Sequence, residues 1–426
     1  MRTMNRVVRS VLAAGPRRRR ALLALLLAVL FVSVFIHSSS GFYDHDEIGH
    51  YISLKSMTTD LWFKPWQRAG FKLLYLPLKQ LDLSEIRFVN LLVIVGCSAL
   101  LYRIAGAFVA LVFLTFPFVH QIGARFYSEI PAMLLITASI ALLRKGRLAW
   151  FALALSYAAL VRFEIVALFV PAAFALRRTP KHILLLLVFP VAFYLLSVGV
   201  TGEWTYLFER YVGYTNEHRP KSDDPFHYLA AVFRMGGLWP LLAFPELVAR
   251  LRRGEDLSRF MALSTIILLL LLTLSYWEKT AFGPISGLER HVMLTAPMVA
   301  VFAGTARTPY RAWLMPIAVV IPLLLPLKSA DIEARTLDSA CEAMREITYS
   351  KLYVEHGYVN LRLDEPLHSE TITTLEFRHE ARQGDVMVWE NHYAARLIEY
   401  NDVVKVWLPI WRGSTGGFEV VILRKL

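Results

Sequence analysis

The stretch GFYDHDEIGHY, residues 41 to 51, places three carboxylates, Asp44, Asp46 and Glu47, beside His45 and His50. Carboxylates this close serve two chemistries. One of them can take a proton from an attacking hydroxyl, or several can hold a hard cation, with histidine widening the choice of metal. The spacing is diagnostic for no single metal, and Asp44, His45 and Asp46 are the candidate ligands within this stretch. A lone loop carboxylate is most often only solvated. Three acids within four residues, directly after an apolar helix, favour a working site.

Other charges sit in equally apolar company. Arg125 and Glu129, in ARFYSEIPAMLL, lie four apart at the start of an apolar segment and share a helical face. They read either as an ordinary ion pair or as a second acid facing the first. Arg162 and Glu164, in LVRFEIVAL, are stranded between two short apolar runs, where charges are costly and are either functional or paired with each other. Arg290 and His291, in GLERHVMLTAPMVAVFAG, cap a further apolar segment, and Lys279 precedes them. His218, Arg219 and Lys221 read equally well as a solvated loop.

The elements that must position these groups follow from composition. Of 426 residues, 56% are hydrophobic and 19% charged. With a mean hydropathy of +0.46, the chain is too apolar for a soluble globular protein of this size. A spanning helix needs roughly 20 apolar residues, and by that measure about eleven crossings are expected. They centre near Leu27, Val95, Val112, Leu135, Leu155, Phe169, Leu187, Leu238, Leu268, Val299 and Val320. The net charge of +12 comes from short clusters between apolar runs, a loop pattern that excludes nucleic acid as the partner. Cys97 lies in an apolar run and Cys341 in a polar region, so no disulfide is expected between them.

Charge bias sets the orientation. Arg17 to Arg20, Arg144 to Arg147, Arg177 to Lys181, Arg250 to Arg253, and Arg307 with Arg311 fall on one side when eleven spans are threaded, and that side is cytoplasmic. The acidic loops and everything after about Lys328 then lie outside. A cleaved signal peptide, with Ser38 to Ser40 as a small-residue exit, is the alternative reading of the first apolar run, but the run is long for such a peptide and no clean A-x-A site follows. The first outer loop, about residues 37–87, contains an amphipathic stretch. Phe71, Leu74, Tyr75, Leu78 and Leu81 recur at helical spacing opposite Lys72, Lys79 and Gln80, with Pro77 as a break and Trp62, Phe63 and Trp66 as interfacial aromatics. From residue 328 to 426, charged residues become dense and apolar runs shorten. Ala330 to Ile347 and Asn391 to Tyr400 read as helices, and DVMVWE and GFEVVILRKL as strands, which predicts a soluble α/β domain beside a membrane domain of residues 1–327.

Taken together, the segments HDEIGHY, ARFYSEIPAMLL, LVRFEIVAL and GLERHVMLTAPMVAVFAG resemble the GT-C superfamily of multi-spanning glycosyltransferases. His291 stands where a tyrosine is more usual in the last of them. The similarity is closest to the branch of protein mannosyltransferases and aminoarabinose transferases. It implies an α-helical polytopic membrane protein of GT-C type with a C-terminal α/β domain. It implies an enzyme that moves a sugar from a polyprenyl- or dolichyl-phosphate donor to a lipid, glycan or protein acceptor on the extracytoplasmic face of the cell membrane. In such a site Asp46 or Glu47 is the base, with Asp46 favoured because HDE is most like the family's Asp-Glu pair. Arg290 grips the donor phosphate, assisted by His291, Arg162 and Lys279. Arg125, Glu129, Asp44 and Glu164 fall on the second-acid or acceptor side, where Glu129 can help to hold a divalent cation. The partners implied are the lipid-linked donor and membrane lipids.

A transporter or lipid flippase is the rival class, since such proteins also carry charges within the membrane. They show repeated halves with matching broken helices, and this sequence shows no such symmetry. The charge bias yields a direct test. Tags at Ser56 and at the C-terminus should be labelled from outside intact cells, whereas a tag between Arg144 and Arg147 should not. Protection of the Ser56 tag would overturn the assigned orientation and with it the transferase reading.

Overall fold

The computed structural model describes residues 16–39, 45–56, 63, 69–209, 224–276, 289–308, 310–325, 332–363, 381–396 and 398–426. They divide between two compact units: Met1–Ser39, Phe63–Leu74 and Ser84–Pro326 form the first, and Ser40–Trp62, Tyr75–Leu83 and Leu327–Leu426 the second. The helices that bear on the site are α1 (Pro16–Ser39), α2 (His45–Ser56), α3 (Ala69–Tyr75), α4 (Leu83–Ala105), α5 (Glu129–Arg144), α6 (Leu148–Val161), α7 (Asp256–Tyr276), α8 (Ala296–Thr305), α9 (Ile332–Met344) and α10 (Gly357–Leu363).

The first unit is helical. Three helices, α4, Pro180–Thr201 and α7, are long and apolar enough to cross a membrane. A fourth crossing is added if His227–Gly236 and Pro240–Arg253, bent by 111°, count as one. With the apolar composition, this makes the chain a membrane protein. The expected count of about eleven is not reached by this measure among the described residues. Several apolar segments are interrupted: the one near Phe169 divides into a 3-10 turn, Phe163–Leu168, and a short helix, Phe169–Ala175, while the one near Val299 begins as a 3-10 turn, Glu289–Thr295. Tyr310–Leu323 contains Pro316 and Pro322.

α5 and α6 pack together as a hairpin, turning at Gly146, whose φ of +67° suits a residue without Cβ. α3 seats on the end of α6. A Cβ on Gly70 would lie 2.6 Å from the carbonyl carbon of Leu160, and the Tyr157 hydroxyl donates to the Gly70 carbonyl at 3.0 Å. The expected amphipathic pattern of α3 holds at Phe71 and Tyr75, both buried, but not at its polar face. Lys72 is buried beside Phe71, while Leu73 and Leu74 are exposed. The break expected at Pro77 is present as a 3-10 turn, Leu76–Leu78.

In the second unit, strands β1 (Leu352–Val354), β2 (Val386–Glu390), β3 (Trp407–Thr415) and β4 (Phe418–Lys425) form one sheet in the order β1-β2-β4-β3. β1 is parallel to β2, and the other pairs are antiparallel. The central strand β2 is buried throughout, as its unbroken apolar run requires. β3 is the exposed edge and accommodates Pro409 beside a bulge. Gly416 and Gly417, at φ +56° and +86°, make the two-residue turn between β3 and β4. α9 packs on β3 and β4, over a core that includes Tyr353, Trp389 and Trp407.

One expectation for this unit is corrected. Asn391 to Tyr400 is not a continuous helix, because the Glu390 carboxylate accepts the backbone N–H groups of His392, Tyr393 and Ala394 and holds a turn there. Short β1 and edge strand β3, whose apolar run Trp407–Trp411 is interrupted by Pro409, were not expected and are found only in the structure.

Gly70→Ala should lower stability by about 1–3 kcal/mol, because the added methyl meets backbone that cannot step aside. Gly199→Ala, in a helix with open space around the position, should be neutral or stabilising by about 0.5–1 kcal/mol. Thermal unfolding of the purified variants distinguishes the two.

Candidate active site

The buried centre of the first unit is an ionic network around Glu129, whose side chain is 1% exposed. Glu129 is the first residue of α5, where the positive end of the helix dipole favours an acid. Its Oε1 accepts from Arg162 Nη1 at 3.1 Å and from Arg290 Nε at 3.0 Å, with His291 Nε2 3.7 Å away. Arg162 also closes a two-pronged bond on Glu164, Nε to Oε2 at 3.1 Å and Nη2 to Oε1 at 2.7 Å, and donates to Ser128 Oγ at 3.1 Å.

A break in helix geometry makes this possible. Residues two apart do not face each other on an α-helix. Arg162 is extended, at φ −143° and ψ 115°, between the end of α6 and the 3-10 turn that carries Glu164. The two side chains can therefore meet, and their double bond has the geometry that makes carboxylate–guanidinium pairs strong. Arg290 and His291 come from the 3-10 turn before α8, and the Arg290 guanidinium lies 4.2 Å above the Tyr127 ring.

Two guanidinia thus face two carboxylates, and the charges cancel. Arg125 stands apart from this balance. The expected helical pair of Arg125 with Glu129 does not form, because α5 begins only at Glu129 and Arg125 lies in the turn before it. That turn is fixed by the amide of Asn90, from α4, donating to the Arg125 carbonyl, and by Phe126 packing on Phe71 at 4.7 Å. The Arg125 side chain is buried, and its Nε and Nη2 have no hydrogen-bond partner among the described residues. An uncompensated buried guanidinium costs several kcal/mol, so the site favours an incoming anion. Two further buried cations, Lys72 and Arg87, are carried by α3 and α4, the same helices that contact the Arg125 turn.

Sequence reasoning had singled out Arg162, Glu164, Glu129, Arg290 and His291, and the structure brings all five together. It overlooked Lys72, Arg87, Asn90, Tyr127 and Ser128. Arg87 and Asn90, polar residues three apart at the start of an apolar helix, were the available signal. Asp46 and Glu47 occupy the first turn of α2 in the second unit, with Glu47 buried and Asp46 partly exposed. Asp44 and Lys279 lie outside the described residues. Among the described residues no group of three or more His, Cys, Asp or Glu side chains is arranged for a metal ion. The Glu129 carboxylate, one of the candidate ligands, faces two guanidinia rather than a place for a cation.

No family model matches the chain, and no curated protein matches it. The fold does have solved counterparts. It is similar to ArnT from Cupriavidus metallidurans in the apo state, with a TM-score of 0.66 at 14% identity, covering 96% of this chain and 98% of that one. It is also similar to ArnT from the same organism bound to undecaprenyl phosphate, with a TM-score of 0.65 at 15% identity and the same coverage. The chain has the fold of ArnT.

The network and the unpaired guanidinium should respond oppositely to mutation. Arg162→Met leaves two buried carboxylates undercompensated and should cost about 3–5 kcal/mol, whereas Arg125→Met should be neutral or stabilising. Unfolding of the detergent-purified protein measures both. Equal losses would show that Arg125 is as well compensated as Arg162.

Proposed function

We propose that the protein is an integral-membrane inverting glycosyltransferase that uses a sugar linked to a polyprenyl phosphate and acts on the extracytoplasmic face. The observation that carries this reading is the buried Arg125 guanidinium, whose Nε and Nη2 have no partner among the described residues, beside a network whose charges already cancel. A donor phosphate supplies the missing anion, and the unused N–H groups meet the charge that grows on its oxygen as the sugar departs. The ArnT fold, in which one solved structure binds undecaprenyl phosphate, supports the same ligand class.

In this reading Asp46 takes the proton from the acceptor hydroxyl. The hydroxyl oxygen attacks the anomeric carbon from the face opposite the phosphate, the carbon–oxygen bond to the lipid phosphate breaks, and the phosphate leaves with the electron pair. Inversion follows from the single displacement. Asp46 is preferred to Glu47 because it is partly exposed and Glu47 is buried. Arg162 is a positioning residue, since its donors are engaged by Glu129, Glu164 and Ser128. Arg290 anchors Glu129 and contributes charge at the donor side. The sugar and acceptor are to be identified by mass spectrometry of lipids, glycans and proteins from cells with and without the gene.

Undecaprenyl phosphate should raise the melting temperature of the wild type and of Asp46→Asn, but not of Arg125→Met, because ligand binding stabilises only a form that binds. Asp46→Asn should lower turnover by about 10² or more while donor binding persists. Glu47→Gln tests the neighbouring acid, and Asp44→Asn controls for lost surface charge. Full transfer activity in all three acid variants would remove the acids from the chemistry. Unchanged lipid stabilisation of Arg125→Met would remove the arginine from the donor site.

A further inference from the structure

The second unit holds a group of acids and histidines that the transfer chemistry leaves unassigned. β1 runs out into Glu355-His356 and β2 into Glu390-Asn391-His392. Because these strands are parallel neighbours, both ends lie at the same edge of the sheet. Glu333, in the first turn of α9, reaches both. Its Oε1 is 3.0 Å from His392 Nδ1, and its Oε2 is 3.9 Å from His356 Nε2. The His392 ring stacks on Tyr393 at 4.1 Å, and Tyr393 meets the buried His356 edge-on at 5.3 Å.

The His356 ring, with His392 beside it, holds the Glu333 carboxyl below the usual carboxylate range. The other acids at this edge are otherwise engaged. Glu390 accepts three backbone N–H groups, and Glu355 is pushed up to about 7 by burial and by the Glu390 carboxylate, so it carries only part of a charge at neutral pH. Glu333 is therefore the anion that the two histidines share.

A second attachment lies five residues further along α9. Asp338 accepts from the Tyr358 hydroxyl at 2.8 Å and from Arg362 Nε at 2.7 Å. Both donors belong to α10, which starts at the residue after His356. α9 thus holds α10 at its entry through Glu333 and along its length through Asp338. α10 in turn packs against α2, the helix that bears Asp46 and Glu47.

We infer that Glu333 and Asp338 are positioning residues: by fixing α10 they fix α2, and with it the carboxylates proposed to take the acceptor proton. The role assigned to those carboxylates rests on the transferase reading, whereas the mechanical link from α9 through α10 to α2 does not. A purely local structural role would loosen α9 and α10 and leave α2 unchanged.

Hydrogen exchange on the full chain in lipid nanodiscs separates these cases. In Glu333→Gln, protection of 357–363 and of 45–56 should both fall about tenfold, the scale set by losing one partly buried charge contact, while 129–144 keeps its protection. Turnover should fall with the donor KM unchanged, because α2 bears the acids and not the donor-holding arginine. Asp338→Asn and the milder Tyr358→Phe should give the same pattern and serve if Glu333→Gln does not fold. Loosening of 357–363 with 45–56 unchanged would overturn the inference, as would loosening of both with turnover intact. Absence of sugar transfer by the wild type would defeat the transferase reading alone, and the exchange of 45–56 would still decide the link.

Discussion

The carboxylate of Glu129 sits between two guanidinia, Arg162 and Arg290, which reach it from different parts of the chain. A buried carboxylate survives only with such compensation, so the local backbone is arranged around supplying it. α6 stops at Val161 so that Arg162 can extend, the following 3-10 turn brings Glu164 back to Arg162, and a second 3-10 turn presents Arg290. Each break interrupts an apolar helix, with a cost in backbone hydrogen bonding that the ion pairs offset. The neutrality of the network is what makes the lone charge of Arg125 meaningful, since no surplus acid in it is available to pair with that side chain.

The second unit solves a different problem. It carries Asp46 and Glu47 on α2, a helix too short to be stable by itself. A sheet with α9 on its face supplies the rigid reference, and α10 transmits it to α2. Pairing β1 and β2 in parallel brings two histidines to one end, so a single glutamate on α9 can serve both. Small α/β units often place function at such strand ends. Here that edge holds a strut.

What the sequence revealed, and what it hid, divides along the same physical lines. Charges stranded in apolar runs announce themselves, and Glu129, Arg162, Glu164 and Arg290 were all legible because their positions are costly whatever their partners. Their partners were not legible. The spacing of Arg125 and Glu129 implies an ion pair only if one helix spans both, and α5 begins too late. Lys72 reads as a solvated face by periodicity, yet Gly70 lets α3 approach the α6 backbone so closely that Lys72 is buried. In the C-terminal part, β2 and β4 stand out as apolar runs, whereas the run of β3, Trp407 to Trp411, is broken by Pro409, which argues against a strand unless it lies at an edge. The α10 link to α2 joins residues some 300 positions apart, for which local pattern carries no information.

The ion network also bears on how the chain enters a membrane. Inserting a charged residue costs about 2.5–3.5 kcal/mol at a helix centre and less near its ends. Glu129 and Arg162 are only 33 residues apart, on the two arms of the α5–α6 hairpin, so they can neutralise each other as that hairpin leaves the translocon. Glu164 follows at once and leaves the trio one negative charge in excess. The residue that restores the balance, Arg290, lies 161 positions after Glu129. At ordinary synthesis rates it emerges on the order of ten seconds later. During that interval the hairpin carries one carboxylate more than its guanidinium can balance, a charge cost that the arrival of Arg290 removes.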